Sequence, residues 1–581
     1  MFVRKNYSSN GRISLAFARS YRDEKGKVRQ KHVETIGFLD ELEKIYDDPV
    51  AHFREVARQR TLEEAKEHIP LSLDTETRID AFEPGLKNLG YLVLEKLYHE
   101  LGLHVFFRRR ENRLKIDYNL NALFRFLVFS RIIDPCSKKR TFERQTQFFE
   151  SYVSSLESVY RGLDYFDQFN LAMQSWLNEQ VKDRYGRWGE EAYYDVTNYY
   201  FEIDEEDDFR RRGPSKEYRR SPIVQMGLLL DQRGLPMAFH LFPGNGSEKL
   251  SLNPLMNQVR ENYGLKRLVI VADKGLNCGN NIAFQLAAGN GYIYSQTIRG
   301  ADAKFKAFVT SEESYRSHGE GGLIKSRIVP KTITFKDKNN RKKTIQIDQK
   351  QVVFYSQKYA DKARYERART IEKAKRYLNR SELLPQYLSQ SAASYIKGLH
   401  YNEDGEIVTP KTKLYLDEEK IARDAQFDGY YAIVTSELDL PDEDIVDTYH
   451  GLWKIEETFK LSKSELRARP VFLAKEAHIT AHFLICFVSM LLMRLLELRM
   501  NEAGLEDTRP GAKPRQKRYF SSFELIRALR NFNCSLISEN IYNFHYTDDV
   551  IPNIEEVFKL DLSTRYRRLG DIRKMIAAVK K

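Results

Sequence analysis

"EAYYDVTNYYFEI", residues 191–203, has the composition of a β-strand and an acid in its middle. Aromatic and β-branched residues suit the pleated, half-buried surface of a sheet, and strand interiors are poor in aspartate. Asp195 therefore needs a reason: a satisfied polar group at a sheet edge, or chemistry. More strand-like runs follow, "IVQMGLLLD" (223–231), "PMAFHLFPG" (236–244) and "RLVIVAD" (267–273), with a helix expected from Pro254 to about Tyr263. Asp273 closes the last run. The carboxyl end of a buried strand is where open α/β sheets place site groups, and it is also where a helix or turn is capped.

A third acid lies in "YHGLWKIEETFKLSKSEL", residues 449–466. Tyr449, Trp453, Glu456, Lys460, Lys463 and Arg467 recur at alternating steps of four and three. At about 3.6 residues per turn, that spacing predicts one face of a helix for all six. Leu452, Ile455, Phe459 and Leu466 form the neighbouring stripe, which should be buried. Glu456 then stands where an exposed surface meets a core, and Glu457 points away. An ordinary solvated face is the plain alternative, as is simple core packing for Trp453. Two strand aspartates and a helix glutamate, without clustered cysteine or histidine, make a hard oxygen donor set suited to Mg²⁺ or Mn²⁺. A pair of such ions about 3.5–4 Å apart clamps the attacking and leaving oxygens of a phosphodiester.

The rest of the chain bounds this reading. Its 581 residues exceed one compact core, so three or more domains are expected. The charge of +12, from 94 basic and 82 acidic side chains, favours a polyanionic partner without requiring one. Cys136, Cys278, Cys486 and Cys534 form no CxxC pair, which excludes a zinc ribbon and fits a reducing cytoplasm. The start has no apolar signal-peptide run. "AHITAHFLICFVSMLLMRLLEL" (477–498) passes a hydropathy test, but its histidines and arginine favour a buried helix. Residues 1 to about 45 alternate as strands, with a hairpin turn at Lys25-Gly26. Residues from about 85 to 185 show helical spacing, with basic clusters Arg108-Arg109-Arg110 and Lys138-Lys139-Arg140 expected in loops. Residues 301–424, with lysine-rich strands and a charged helix, read as an insertion rather than a continuation of the sheet. "TRPGAKPRQKR" (508–518) reads as a basic linker.

Together, "YYDVTNYYFE", "ADKGLN" and "YHGLWKIEETFKLSK" resemble the three acidic motifs of the DDE transposases of insertion sequences, specifically the insertion-sequence-four superfamily and a long-chain branch of it. Tyr449, Glu456 and Lys463 fall on the superfamily signature Y-(2)-R-(3)-E-(6)-K, and Leu452 departs from its arginine. Lys454 faces elsewhere on a helix. "GLPMAFHLFPGN", "RARPVF" and "HITAHFLICF" are similar too, and the likeness spans roughly residues 1–500.

The resemblance implies an α/β fold: a ribonuclease-H-like catalytic core with a largely β insertion, N-terminal β and helical regions, and a helical C-terminal tail. The implied order is a β-hairpin unit (1–60), a helical DNA-binding region (61–185), the first segment of the core (186–300), the insertion (301–424), the closing segment of the core (425–500), and a basic linker with the C-terminal region (501–581). It further implies that Asp195, Asp273 and Glu456 are catalytic and hold two Mg²⁺ or Mn²⁺ ions. Tyr449, Lys463, Lys460 and Arg467 would lie along DNA, and Trp453 would stack on a displaced base. The expected activity is cleavage at terminal inverted repeats and joining of the 3′-hydroxyl end to target DNA. Expected partners are double-stranded DNA and a second copy in the DNA complex, with no membrane and a cytoplasmic, nucleoid-associated location. A metal-dependent nuclease without strand transfer, or a non-catalytic DNA-binding descendant, are the alternatives.

Overall fold

The N-terminal alternation folds as an antiparallel sheet, β1 (Phe2–Tyr7), β2 (Ile13–Arg22) and β3 (Val28–Phe38), in that order. In this computed structural model Phe2 pairs with Ala18 and Tyr7 with Ile13, and Leu15 to Ala18 are buried. The helix Pro49–Glu64 follows. The turn expected at Lys25-Gly26 lies outside the described residues. Those are the whole chain apart from 9–10, 23–27, 65–84, 151, 154, 188–189, 214–220, 265–266, 320, 338, 379–389, 398–399, 402–406, 409–413, 539, 546–547 and 581. Met1–Glu83 form one compact unit and Pro84–Lys581 another.

The second unit opens with β4 (Lys87–Asn88) and the helices Tyr91–Glu100, Leu103–Glu111, Leu120–Ile133, Leu156–Gln168 and Asn170–Tyr185. Side-chain caps start two of them. Asn119 accepts from the Ala122 amide at 2.7 Å and Ser155 from the Ser158 amide at 3.1 Å. The basic clusters lie in helices rather than in the loops expected. Arg108, Arg109 and Arg110 form the last turn of Leu103–Glu111, where cations oppose the negative end of the helix dipole. Lys138, Lys139 and Arg140 open the helix Lys138–Glu143, with Lys138 buried.

The main sheet takes in β5 (Glu191–Tyr200), β6 (Ile223–Asp231), β7 (Pro236–Pro243), β8 (Val269–Ala272), β9 (Gly291–Ser295), β10 (Arg316–His318), β11 (Gly322–Lys336) and β12 (Lys342–Tyr355). Four two-residue strands follow, β13 (Ile396–Lys397), β14 (His400–Tyr401), β15 (Ile407–Val408) and β16 (Tyr415–Leu416), paired as two small ladders. β17 (Tyr430–Thr435) then returns to the main sheet, which runs β10-β11-β12-β17-β9-β8-β5-β6-β7. β8 is parallel to both β5 and β9, and the expected helix Leu252–Tyr263 precedes it.

Residues 301–424 correct the expectation that they stand apart from the sheet. β11 pairs with β12 and β12 with β17, so the two long strands extend it. Burial explains why. The lysine-rich outer half of β12 is largely exposed, whereas Gln349 to Phe354 are buried beside β17. The charged stretch forms the helix Gln357–Leu378.

Residues 477–498 lie in the helix Glu476–Glu502, which is long and apolar enough to cross a membrane and is 94% buried over its apolar window. It packs against Leu156–Gln168, Leu120–Ile133 and β7. Ser489 meets the Val128 carbonyl at 3.3 Å, and the Phe487 ring stands 5.2 Å from that of Phe239.

The C-terminal region, expected to be helical, is mixed. β18 (Asn533–Ser538), β19 (Ile541–Phe544) and β20 (Tyr566–Arg568) join β4 in the order β20-β19-β18-β4, among the helices Ser522–Asn531, Val550–Phe558 and Leu569–Ala578. Buried Cys534, Tyr542 and Phe544 hold this ladder to the core. Arg518, at the end of the basic stretch, is buried against Asp507, Glu524 and Asp549.

Phe487→Ala should lower stability by about 3–5 kcal/mol, because it empties the contact between the long helix and the sheet. Urea unfolding measures this, and a loss under about 1 kcal/mol would show that the ring does not pack there.

Candidate active site

Two parallel ladders align the strand acids. Ala192 pairs with Ile270 and Tyr193 with Val271 between β5 and β8, and Ile270 pairs with Tyr292 and Ala272 with Tyr294 between β8 and β9. Carried on by one or two residues, these registers bring Asp195, Asp273 and Ser295 into one row across three neighbouring strands, which lie about 4.8 Å apart. The pleat gives the row a common face. Ala192, Tyr194, Ile270 and Ala272 enter one core cluster, whereas Tyr193, Tyr199 and Val271 enter the other. Asp195 and Asp273 share parity with the second set. The Ser295 hydroxyl donates to Asp273 Oδ1 at 2.8 Å.

That same face is covered by the stretch containing Glu456, but not as a single helix. The helix Asp442–His450 ends at Gly451, the helix Trp453–Lys460 starts after it, and Leu461–Glu465 form a π-turn. Five of the six residues expected on one helical face are therefore split among these three segments, and Arg467 lies beyond them. At the first break the backbone comes close to the sheet, and only glycine fits: a Cβ at Gly451 would lie 2.0 Å from the Tyr193 hydroxyl of β5. In the π-turn the Leu466 amide bonds the Leu461 carbonyl at 3.0 Å, and the extra residue turns the following side chains round the axis. Ile455, Phe459 and Leu466 are buried, as expected of the apolar stripe, and Leu452 is half-buried.

The odd-numbered residues of β5 meet this cover in sequence. Tyr193 lies under Gly451 and 5.2 Å from the Lys454 ammonium. Thr197 accepts from Lys463 Nζ at 2.5 Å, and the Tyr199 and Ser462 hydroxyls are 2.6 Å apart. Asp195 falls between Tyr193 and Thr197 on that face. Glu456 is exposed in the first turn of its helix, where the helix dipole favours an anion. Tyr449 feels both Asp273 and Glu456. Burial above all pushes its phenol up to about 12; a hydrogen bond with Ser295 opposes this, and Asp273, Tyr431 and Glu456 add smaller rises. Tyr431 of β17 is raised as well, by burial first and with the same two acids contributing.

The remaining residues divide. Trp453 is 48% exposed, which rules out simple core packing. Lys460 is exposed at a separate cavity of about 360 Å³ that Glu457, Glu465 and Glu497 also line. Glu457 sits 3.7 Å from Arg494, away from Glu456. Arg467 is exposed with φ +44°. Lys454 donates to the Gln232 carbonyl at 2.6 Å, so it does not stand in for the arginine replaced by Leu452. Sequence reasoning missed Ser295 and Thr197. The two-residue period of β5 could have found Thr197, but Ser295 depends on long-range strand pairing.

A carboxylate-only donor set suits a hard divalent cation. Among the described residues, no group of three or more His, Cys, Asp or Glu is gathered closely enough to hold a metal ion. Facing carboxylates repel one another, so a set of this kind closes fully only around positive charge. What the backbone supplies is the alignment.

Two known families match the chain. The family described as "Transposase DDE domain" matches residues 201–492, half of the chain, and "IS1634 family transposase, N-terminal domain" matches residues 2–69. No curated protein matches. The first match takes in Asp273, Glu456 and Lys463 and begins just beyond β5, so Asp195 enters through strand register alone.

Gly451→Ala should destabilise the protein by about 1–3 kcal/mol, because its methyl group overlaps Tyr193. Tyr193→Phe removes the nearer atom, so the double variant should recover some of the loss. An unchanged melting temperature for Gly451→Ala would show that the cover does not rest on β5 there.

Proposed function

The chain belongs to the DDE transposases of insertion sequences, and from that premise we propose that Asp195, Asp273 and Glu456 hold two Mg²⁺ or Mn²⁺ ions at which DNA is cut and rejoined. Enzymes of this class bind DNA, cleave it, transfer strands and generally use divalent metals. The observation that carries the finer reading is the Asp195–Asp273–Ser295 row, with Glu456 and Tyr449 on the segment above it.

The substrate is a phosphodiester at the end of the element, within its terminal inverted repeat. In hydrolysis a water oxygen bonds to phosphorus as the bond to the 3′ oxygen breaks, leaving a 5′-phosphate and a free 3′-hydroxyl; that hydroxyl oxygen then bonds to a phosphorus of target DNA as the target's own 3′ oxygen leaves with the proton. When bound, the ions lower the pKa of the attacking oxygen and stabilise charge on the leaving one. The chain's own side chains do the positioning. Ser295 fixes one oxygen of Asp273. Thr197 holds the Lys463 ammonium over β5, where it offers positive charge beside the acidic row. Tyr449, kept neutral well above physiological pH, bonds Ser295 and feels the fields of Asp273 and Glu456 without adding a charge of its own. The half-exposed ring of Trp453 is free to stack on a base drawn out of the duplex. Joining requires two ends, so the working assembly on DNA is a dimer, and the setting is the cytoplasmic nucleoid.

Asp195→Ala, Asp273→Ala and Glu456→Ala should each abolish nicking of a fragment bearing the repeats and leave its binding near wild type. EDTA should stop the wild-type reaction and Mg²⁺ restore it. Nicking retained by any one variant removes that residue from the site, and a metal-independent reaction removes the mechanism. Free 3′ ends that never join target DNA would identify a nuclease instead.

Ser295→Ala should raise the Mg²⁺ concentration for half-maximal nicking by about 10-fold, the usual effect of losing a partner of a metal-binding carboxylate. Saturating Mg²⁺ should recover most of the rate. A lower rate with an unchanged Mg²⁺ midpoint would contradict a positioning role.

A further inference from the structure

Past the end of β5, the segment 467–473 and the helices Leu120–Ile133 and Lys138–Glu143 border a cavity of about 370 Å³. Arg131, Lys138, Arg140, Arg467, Arg469 and His482 line it, and among the described residues no acid does. Arg131 and Lys138 are each only 5% exposed. Buried cations are costly unless paired, and three buried arginines elsewhere are paired with carboxylates. Arg125 meets Glu95 at 2.6 Å, Arg518 meets Asp549 at 2.9 Å and Arg567 meets Asp561 at 2.8 Å.

Arg131 instead donates to the carbonyls of Cys136 at 3.1 Å and of Leu466 and Arg467 at 3.4 Å, and its buried Nε has no partner. Lys138 Nζ stands 3.5 Å from His482 Nδ1, and the other ring nitrogen of His482 lies 3.1 Å from the Ala468 carbonyl. Burial, and then Arg131, lower the Lys138 ammonium to about 7. Burial, with Lys138 and Arg131 adding to it, holds His482 well below the usual imidazole range. Among the described residues neither Arg131 nor Lys138 meets a carboxylate.

We infer that this cavity is a phosphate subsite, occupied by a backbone phosphate of the bound DNA away from the scissile bond. The inference rests on the reading that the partner is DNA. Its place along the strand sets the spacing. The Val471 amide bonds the Tyr200 carbonyl at 3.2 Å, and the Arg469 guanidinium lies 5.4 Å from the Tyr200 ring. Tyr200 is five residues beyond Asp195 on β5, roughly 17 Å at about 3.3 Å per residue. Along one strand of duplex DNA, with a phosphate every ~3.4 Å of axis, that is about five nucleotides. A phosphate oxyanion there supplies the missing charge to Lys138 and Arg131, and the exposed Arg140 and Arg467 guide it in.

Free inorganic phosphate offers the same oxyanion, so two measurements on the full chain separate the sources. The first is thermal unfolding in inorganic phosphate against chloride of equal ionic strength. Phosphate should raise the wild-type melting temperature and should not raise that of Lys138→Met. The second is DNA affinity against salt. Lys138→Met and Arg467→Ala should each flatten the slope of log K against log salt by about 0.9, the loss of one phosphate contact. Arg467 is exposed, so its variant keeps the test valid should Lys138→Met fold poorly.

A phosphate effect on stability with unchanged salt slopes in both variants would overturn the DNA subsite in favour of a free-anion site. No phosphate effect and unchanged slopes would overturn the site altogether. The thermal arm needs neither DNA nor catalysis, so it reads this cavity even if the nicking assays fail.

Discussion

The parallel register of β8 between β5 and β9 is the constraint on which the rest depends. It aligns Asp195, Asp273 and Ser295 across three strands. Because side chains alternate on a strand, a slip of one residue would turn Asp273 to the opposite face and carry the buried Val269–Ala272 run with it. The fully buried β8 therefore fixes the acids with hydrophobic energy rather than with polar contacts. The charged side of the site is left with little to do except face outward.

The cover over this row is held by many small polar contacts. Ser462 meets Tyr199, Lys463 meets Thr197, and the carbonyls of Leu466 and Arg467 accept from Arg131. Arg530 reaches the carbonyl and carboxylate of Glu465. Glu456 is thus carried on a segment fastened at one side to the sheet and at the other to the helical layer. The same fastening brings Arg467 and Arg469 to the cavity beside Lys138. Acids lie at the row and a basic cavity further along β5, an arrangement suited to one strand of a polyanion running over both once cations fill the row.

Much of this was legible in the residues. The apolar runs at 191–200, 223–231, 236–243 and 269–272 became strands, and the acid out of place in one of them marked an interior strand of the main sheet. Periodicity also found the buried long helix. Reading failed where a distant partner decides the outcome. The 449–466 stretch has helical spacing throughout, yet Gly451 must yield to Tyr193 and the π-turn to strand β5, neither of which local spacing encodes. The lysine-rich halves of β11 and β12 disguised inner halves that complete the main sheet. Ser295 ends an unremarkable strand, and only the β8–β9 pairing makes it a partner of Asp273. Leu452 stands where the family signature has arginine, and Lys454, the nearest cation in sequence, is committed to the β6–β7 turn.

The most direct test of the central claim is to locate Mn²⁺ in crystals of the protein by anomalous scattering. Convergence of the three carboxylates predicts two peaks, about 3.5–4 Å apart, bound by Asp195, Asp273 and Glu456 together. Peaks confined to other carboxylates, or a site that Glu456 does not reach, would contradict it.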